Sequence, residues 1–184
     1  MIITNKAYPL KFIQRKQKWF KSPYISRYIF TFISSRKRLH FVIEIDEFEY
    51  NFFAIKFYPK QLKRSADKYN LITNNGDIIR ILLSCASSIP IILEKNKLAS
   101  FGFIGSRSKS KKNRLFVESF HQNKRYRVYS ALIQEVIGDK IFDHFEFNNL
   151  SGYLLLNKAN SNPQKLKNAI QTMIQHEFEF MDNL

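Results

Sequence analysis

The chain has 184 residues, 30 Lys or Arg against 15 Asp or Glu, and a formal net charge of +15. Hydrophobic residues at 45% and aromatics at 15% are enough to bury a core, which excludes wholesale disorder. One Cys excludes a disulfide framework or a Cys-rich zinc site, and no apolar run approaches the roughly 18 residues of a membrane span.

Ile2 and Ile3 give way at once to polar residues, so the start does not read as a signal peptide and the expected location is cytoplasmic. Residues 1–23 read as a basic arm. Within it, residues 11–20 interleave Lys11, Arg15, Lys16 and Lys18 with Phe12, Trp19 and Phe20. Such an arm suits nucleic acid or another surface, or it packs on the core through Trp19 and Phe20. From Tyr24 to Ser34, Tyr24, Tyr28, Phe30 and Phe32 fall on one side at period two, a strand pattern. Residues 35–38 read as a turn. Leu39, Phe41, Ile43 and Ile45 alternate with His40, Glu44 and Asp46 in a second strand. Residues 51–58 make a third, with the acids 46–49 expected at an exposed bend. The three form an antiparallel meander with one wet face.

Residues 60–70 read as a polar connection. Asn75-Gly76-Asp77 opens an apolar helix, which Pro90 should interrupt and Asn96 should end. Residues 98–104 form a short strand ending at Gly105-Ser106. A second helix runs from about Asn123 to Ile137, with Val128, Tyr129, Leu132, Ile133, Val136 and Ile137 as its apolar stripe. Residues 142–147 and 153–156 form a hairpin. Asn162 then caps a last helix with Pro163 in its first turn, and Leu166, Ile170, Met173 and Ile174 line its inner face. The order βββαβαββα is that of one α+β domain over residues 1–184. About six mainly antiparallel strands are covered by about three helices, and the strand–helix–strand connections can add a parallel pair.

The charge is uneven. Residues 1–43 hold ten Lys or Arg and no acid. The 105–123 loop reads as a basic insertion. Gly105–Arg127 carries Arg107, Lys109, Lys111, Lys112, Arg114, Lys124, Arg125 and Arg127 against Glu118 alone. Fields of this kind attract phosphate backbones. The two cationic stretches are expected to converge on one surface.

Gly105, Ser106 and Arg125 form a candidate anion site. Gly-Ser at a strand end allows close backbone approach, and the following helix start presents free N–H groups. Arg125 precedes Val128, Tyr129 and Leu132 by helical spacings, so it continues the buried stripe and needs a partner. That partner is a ligand phosphate or a carboxylate such as Glu146 or Asp143, unless Arg125 snorkels to solvent. Arg127 falls on the opposite side, with Ala131 and Gln134.

Asn75-Gly76-Asp77, the strand ending Gly105-Ser106, and Arg125-x-Arg127-x-Tyr129 resemble a small bacterial family of unknown function. The likeness covers roughly residues 70–156 and departs at the basic loop between Gly-Ser and the Arg pair. It implies a shared fold and a shared Gly-Ser/Arg site, and no chemistry.

Enzyme signatures are sparse. His40, His121, His144 and His176 are scattered, and Asp143-His144 beside Glu146 is the only local group of ligand type, so no metal site is expected. Residues 106–112 contain no Gly, which removes the backbone cradle of a coenzyme A-type acyltransferase, and a Walker-type loop is absent. No cofactor is expected. A metal-independent ribonuclease-like toxin needs only a base, an acid and cations. His121, Arg125 and Tyr129, with Glu118 and Arg127 near them, could supply these. The leading expectation is an RNA-directed nucleic-acid-binding protein. Arg107, Lys109, Lys111, Lys112, Arg114, Lys124, Arg125 and Arg127 would contact phosphates, and Tyr126 or Tyr129 would stack on bases. A third reading is a non-catalytic protein whose basic face docks an acidic protein partner.

Overall fold

The computed structural model describes residues 6–18, 22–36, 38–70, 76–106, 118–119 and 121–182, the last seven of these by backbone alone. Seven strands form one sheet in the order β1-β2-β3-β4-β5-β7-β6. They are β1 (Lys11–Gln17), β2 (Ser26–Ser34), β3 (Leu39–Glu47), β4 (Phe52–Pro59), β5 (Ser100–Ile104), β6 (Phe142–Phe147) and β7 (Gly152–Asn157). All neighbouring pairs are antiparallel except β4 and β5, which run parallel. The helices are α1 (Ile78–Ala86), α2 (Ser88–Lys95), α3 (Lys124–Ile137) and α4 (Pro163–Asp182). The α+β class and the mainly antiparallel sheet stand as the sequence predicts.

Alternation builds both layers. Tyr28, Phe30 and Phe32 of β2, Phe41, Ile43 and Ile45 of β3, and Phe53 and Phe101 point to one face. There they pack under α1, α2 and α3 through Ile81, Leu83, Ile89, Ile92 and Val136. On the other face, α4 lays Ile170 and Ile174 on Phe52, Leu154 and Leu156. β7, between the two layers, is therefore buried along its whole length.

Three expectations change. Residues 11–17 are not a free arm: they pair with β2 as an extra, exposed edge strand, which raises the count to seven. Trp19 and Phe20 lie outside the described residues. The helix expected from 77 to 96 is two helices. Its break falls at Ser87 because the Pro90 ring clashes with the carbonyl four residues back, that of Ala86, where α1 ends. Ser87 and Ser88 hydroxyls donate to the Ser84 and Cys85 carbonyls there (2.7 and 2.6 Å).

The third change concerns the acids of β3. Glu44 and Asp46 do point away from the apolar face, and His40 and Ile33 on that side are exposed, but the two acids are not wet: Glu44 is 6% and Asp46 0% exposed. Arg27 of β2 stands opposite Asp46 in register and grips its carboxylate with Nε and Nη2. Lys56 of β4 adds a third bond at 2.9 Å. Glu44 accepts from Tyr58 (2.8 Å) and Tyr69 (2.6 Å), with Lys68 at 3.4 Å. Burial alone would raise the Glu44 carboxyl; the Tyr69 hydrogen bond, then Arg27, Tyr58 and Lys68, outweigh it and hold it below the usual carboxylate value. Burial also works against the Arg27 cation, and Asp46 and Glu44 more than offset it. The bend itself is Phe48–Asn51, with Tyr50 and Asn51 at positive φ.

Candidate functional site

The end of β5 and the start of α3 meet as the sequence suggests. Asn123 is the cap of α3 and is 2% exposed because every polar group it has is used. Its Oδ1 accepts from the Tyr126 N–H (2.9 Å), its Nδ2 donates to the Gly105 carbonyl, and its N–H donates to the Ser151 hydroxyl (3.0 Å). This contact requires glycine at 105. A Cβ there would lie 2.5 Å from Asn123 Oδ1 and 2.9 Å from the Tyr126 nitrogen. Gly76 has a different reason: it holds φ +62°, and its carbonyl accepts from Arg36 Nη1 at 2.5 Å. Asp77 next to it does not cap α1 with its side chain; it accepts from the Tyr8 and Ser34 hydroxyls.

Gly105, Ser106 and Arg125 do come together. Arg125 Nη1 donates to the Ser106 hydroxyl (2.6 Å) and to the Tyr69 carbonyl, and the Ser106 hydroxyl donates to the same carbonyl (2.8 Å). Glu146 and Asp143 take other partners. Glu146 accepts from Tyr126 (2.7 Å) and Gln134 (2.9 Å), and Asp143 pairs with Lys158 at 3.4 Å. Burial lowers the Arg125 pKa, which Tyr129 and Glu118 offset in part. The α3 start already faces an anion of its own, because the Lys124 N–H donates to the Glu118 carboxylate at 2.6 Å. Arg125 therefore ties the 60–70 connection to the end of β5.

The remaining predicted residues separate into three groups. Lys124, Arg127 and His121 are exposed. Among the described residues neither Lys124 nor Arg127 has an ion pair. Tyr126 and Tyr129 are corrected: neither is free to stack on a base. Tyr126 is 2% exposed, with its hydroxyl on Glu146 and Asn148. The Tyr129 ring lies between Phe57 and Phe103, at 6.1 and 5.2 Å, and is 9% exposed. Burial pushes both phenols above their usual range. Of His121, Arg125 and Tyr129, the first is exposed, the second ties a loop and the third is core. Arg107, Lys109, Lys111, Lys112 and Arg114 lie outside the described residues.

The expected convergence of the two basic stretches can be followed only for β1 and the end of β5, since residues 107–117 lie outside the described residues. β1 is an outer edge of the sheet, and β2, β3 and β4 separate it from β5. At the usual strand spacing that is about 19 Å.

Both ring nitrogens of His144 have partners: Nε2 hydrogen-bonds to the Gly138 carbonyl (2.9 Å) and Nδ1 to the Tyr153 hydroxyl (2.7 Å). Among the described residues no group of His, Cys, Asp or Glu is arranged to hold a metal ion. Among them no helix is long and apolar enough to cross a membrane.

Sequence reasoning missed Tyr69, and it took Glu118 only as a candidate acid or base, not as the anion at the start of α3. Tyr69 acts through its backbone carbonyl, for which no residue type gives a signal. Glu118 had one: it is the lone acid in a basic segment just before a helix start.

The fold defines an α+β domain with a mixed seven-stranded sheet and helices on both faces. Compared with known proteins, the chain matches no family model, no curated protein and no solved structure.

Proposed function

We propose that this is a cytoplasmic nucleic-acid-binding protein that contacts phosphates through the 105–127 segment. The observation that carries the reading is the division of its charges. Glu44, Asp46 and Glu47 are tied to Arg27, Lys56, Lys68 and Arg15, so these acids neutralise cations within the sheet. Lys124 and Arg127 stand exposed at the end of a helix in a chain of net charge +15. Cations without acid partners release counterions from a phosphate backbone at the least cost.

RNA is favoured over duplex DNA. The outward side of α3 runs from Lys124 and Arg127 to exposed Gln134 and Glu135. Laid in a major groove, that side would bring a carboxylate toward phosphates. Short contacts at the helix end suit single strands or loops better.

The test is the absorbance ratio at 260 and 280 nm of the protein as first purified at low salt, followed by nuclease treatment with RNase or DNase. A raised ratio that RNase abolishes supports the reading. A ratio of protein alone, with an acidic protein co-purifying through high salt, overturns it in favour of the docking alternative.

A further inference from the structure

A cleft lies toward the β1–β2 edge of the sheet, away from Arg125. It has a volume of about 540 Å³ and is lined by Phe12, Arg15, Tyr28, Glu47, Lys95 and Lys97. It is formed where β1 and β2 face the turn between α2 and β5.

A backbone irregularity builds it. Strict alternation would send Phe12 and Arg15 to opposite faces of β1. The register slips between Phe12 and Gln14, so Phe12 pairs with Phe30 and Arg15 with Tyr28. Both side chains then share the face that carries Tyr28 and Phe30. One extra residue in an edge strand re-aims the side chains beyond it. The Phe12 ring meets Phe30 at a 61° edge contact, 5.3 Å between centroids, and stays 50% exposed. Such a ring offers a stacking surface at the mouth of the cleft.

The charge of the cleft is positive. Arg15 lies over the Tyr28 ring at 4.9 Å; its Nη2 donates to Glu47 (2.9 Å) and its Nε to the Ser26 hydroxyl (3.1 Å). Ser26 donates to the same Glu47 oxygen, so the one carboxylate is already held on two sides. Lys95 and Lys97 are exposed and have no ion pair among the described residues. Lys95 and Lys97 thus stand beside the Arg15–Glu47 pair and a half-open aromatic ring.

We propose that this cleft is a second nucleic-acid site, which takes a single-stranded segment. A base stacks on Phe12, and flanking phosphates meet Lys95, Lys97 and the outer edge of Arg15. An aromatic platform next to spaced cations is the arrangement single strands use, whereas a duplex hides its base faces. The inference rests on the proposed nucleic-acid function and assigns it a place far from α3. Strand β5 alone, Ser100–Ile104, puts about 13 Å between the Lys97 end and the Ser106 end.

The experiment compares affinities for a 5′-fluorescein-labelled uridine 12-mer, an RNA duplex of equal length, and poly-L-glutamate. The proteins are wild type, Lys95→Gln/Lys97→Gln, Phe12→Ala and Lys124→Gln/Arg127→Gln, each checked by thermal melting. Phe12→Leu replaces Phe12→Ala if the latter melts early. The Lys pair variant is expected to lower the log–log salt slope for the 12-mer by about 1.4, since each lost phosphate contact removes about 0.7. Loss of the Phe12 ring is expected to weaken the 12-mer about tenfold, as for one stacked base, and to leave the duplex unchanged. Wild-type binding by both cleft variants, with loss only in Lys124→Gln/Arg127→Gln, overturns the cleft and keeps the helix-end reading. Loss only in the cleft variants supports the cleft and overturns the helix end. No binding of either RNA by the wild type overturns both. Tight poly-L-glutamate binding that depends on Lys95 and Lys97 but not on Phe12 overturns the cleft site in favour of an acidic protein.

Discussion

Arg27 and Arg127 carry the same charge and do opposite work. Arg27 stands in the middle of the β2–β3–β4 half, where Asp46, Glu44 and the ring of Tyr24, 4.2 Å away, surround it. Arg127 stands at the end of α3, exposed. The comparison shows that net charge is not surface charge. Several acids of this chain are consumed inside the sheet, where they hold structural cations. The exposed surplus at Lys124, Arg127, Lys95 and Lys97 is what a polyanion would meet.

Asp46→Ala is the strongest way to break the comparison. It leaves Arg27 and Lys56 without their shared carboxylate, and the expected loss is about 3 kcal/mol of stability by urea unfolding. RNA affinity should not fall. An unchanged midpoint would mean that the buried network holds nothing. Gly105→Ala comes next. A Cβ at 2.5 Å from Asn123 Oδ1 must push α3 off the end of β5, at a cost of about 2 kcal/mol. A variant as stable as wild type would contradict the tight approach.

Acid sharpens the same contrast. The Glu44 carboxyl is held below its ordinary value in the folded protein. Its contribution to stability is therefore fully present above the unfolded value, about 4.3, and is lost as pH falls through the lower, folded one. Glu44→Gln should flatten that part of the acid limb of a stability–pH curve. An identical limb would assign the acid loss elsewhere. The smallest expected effect on stability belongs to Lys124→Gln/Arg127→Gln. These exposed changes should move unfolding by no more than about 0.5 kcal/mol. A larger shift in the melting curve would place Lys124 and Arg127 with the structural cations.

Much of this was readable from the residues. Period-two alternation gave β2 and β3, residues 51–58 stood as the third strand now seen as β4, and the apolar stripe behind Asn123 gave α3 within about a residue. Gly105-Ser106 and Arg125 met as their positions implied. What stayed hidden depended on contacts between distant segments. The Arg27–Asp46 pair exists because two strands align in one register, and alternation alone reads Asp46 as solvent-facing. Tyr126 looks free on a helical wheel, yet Glu146 of β6 reaches its hydroxyl. The cleft was hidden because one slipped residue in β1 defeats the alternation that would separate Phe12 from Arg15. The helix break fell at Ser87, ahead of Pro90, because proline disturbs the turn before it.

The most direct measurement is the affinity of the full chain for a single-stranded RNA as a function of salt. Contact with six to ten phosphates predicts a loss of about 10³–10⁵ in affinity between 50 and 200 mM salt. An affinity that stays level across that range would contradict the claim that the exposed cations of this protein meet a phosphate backbone.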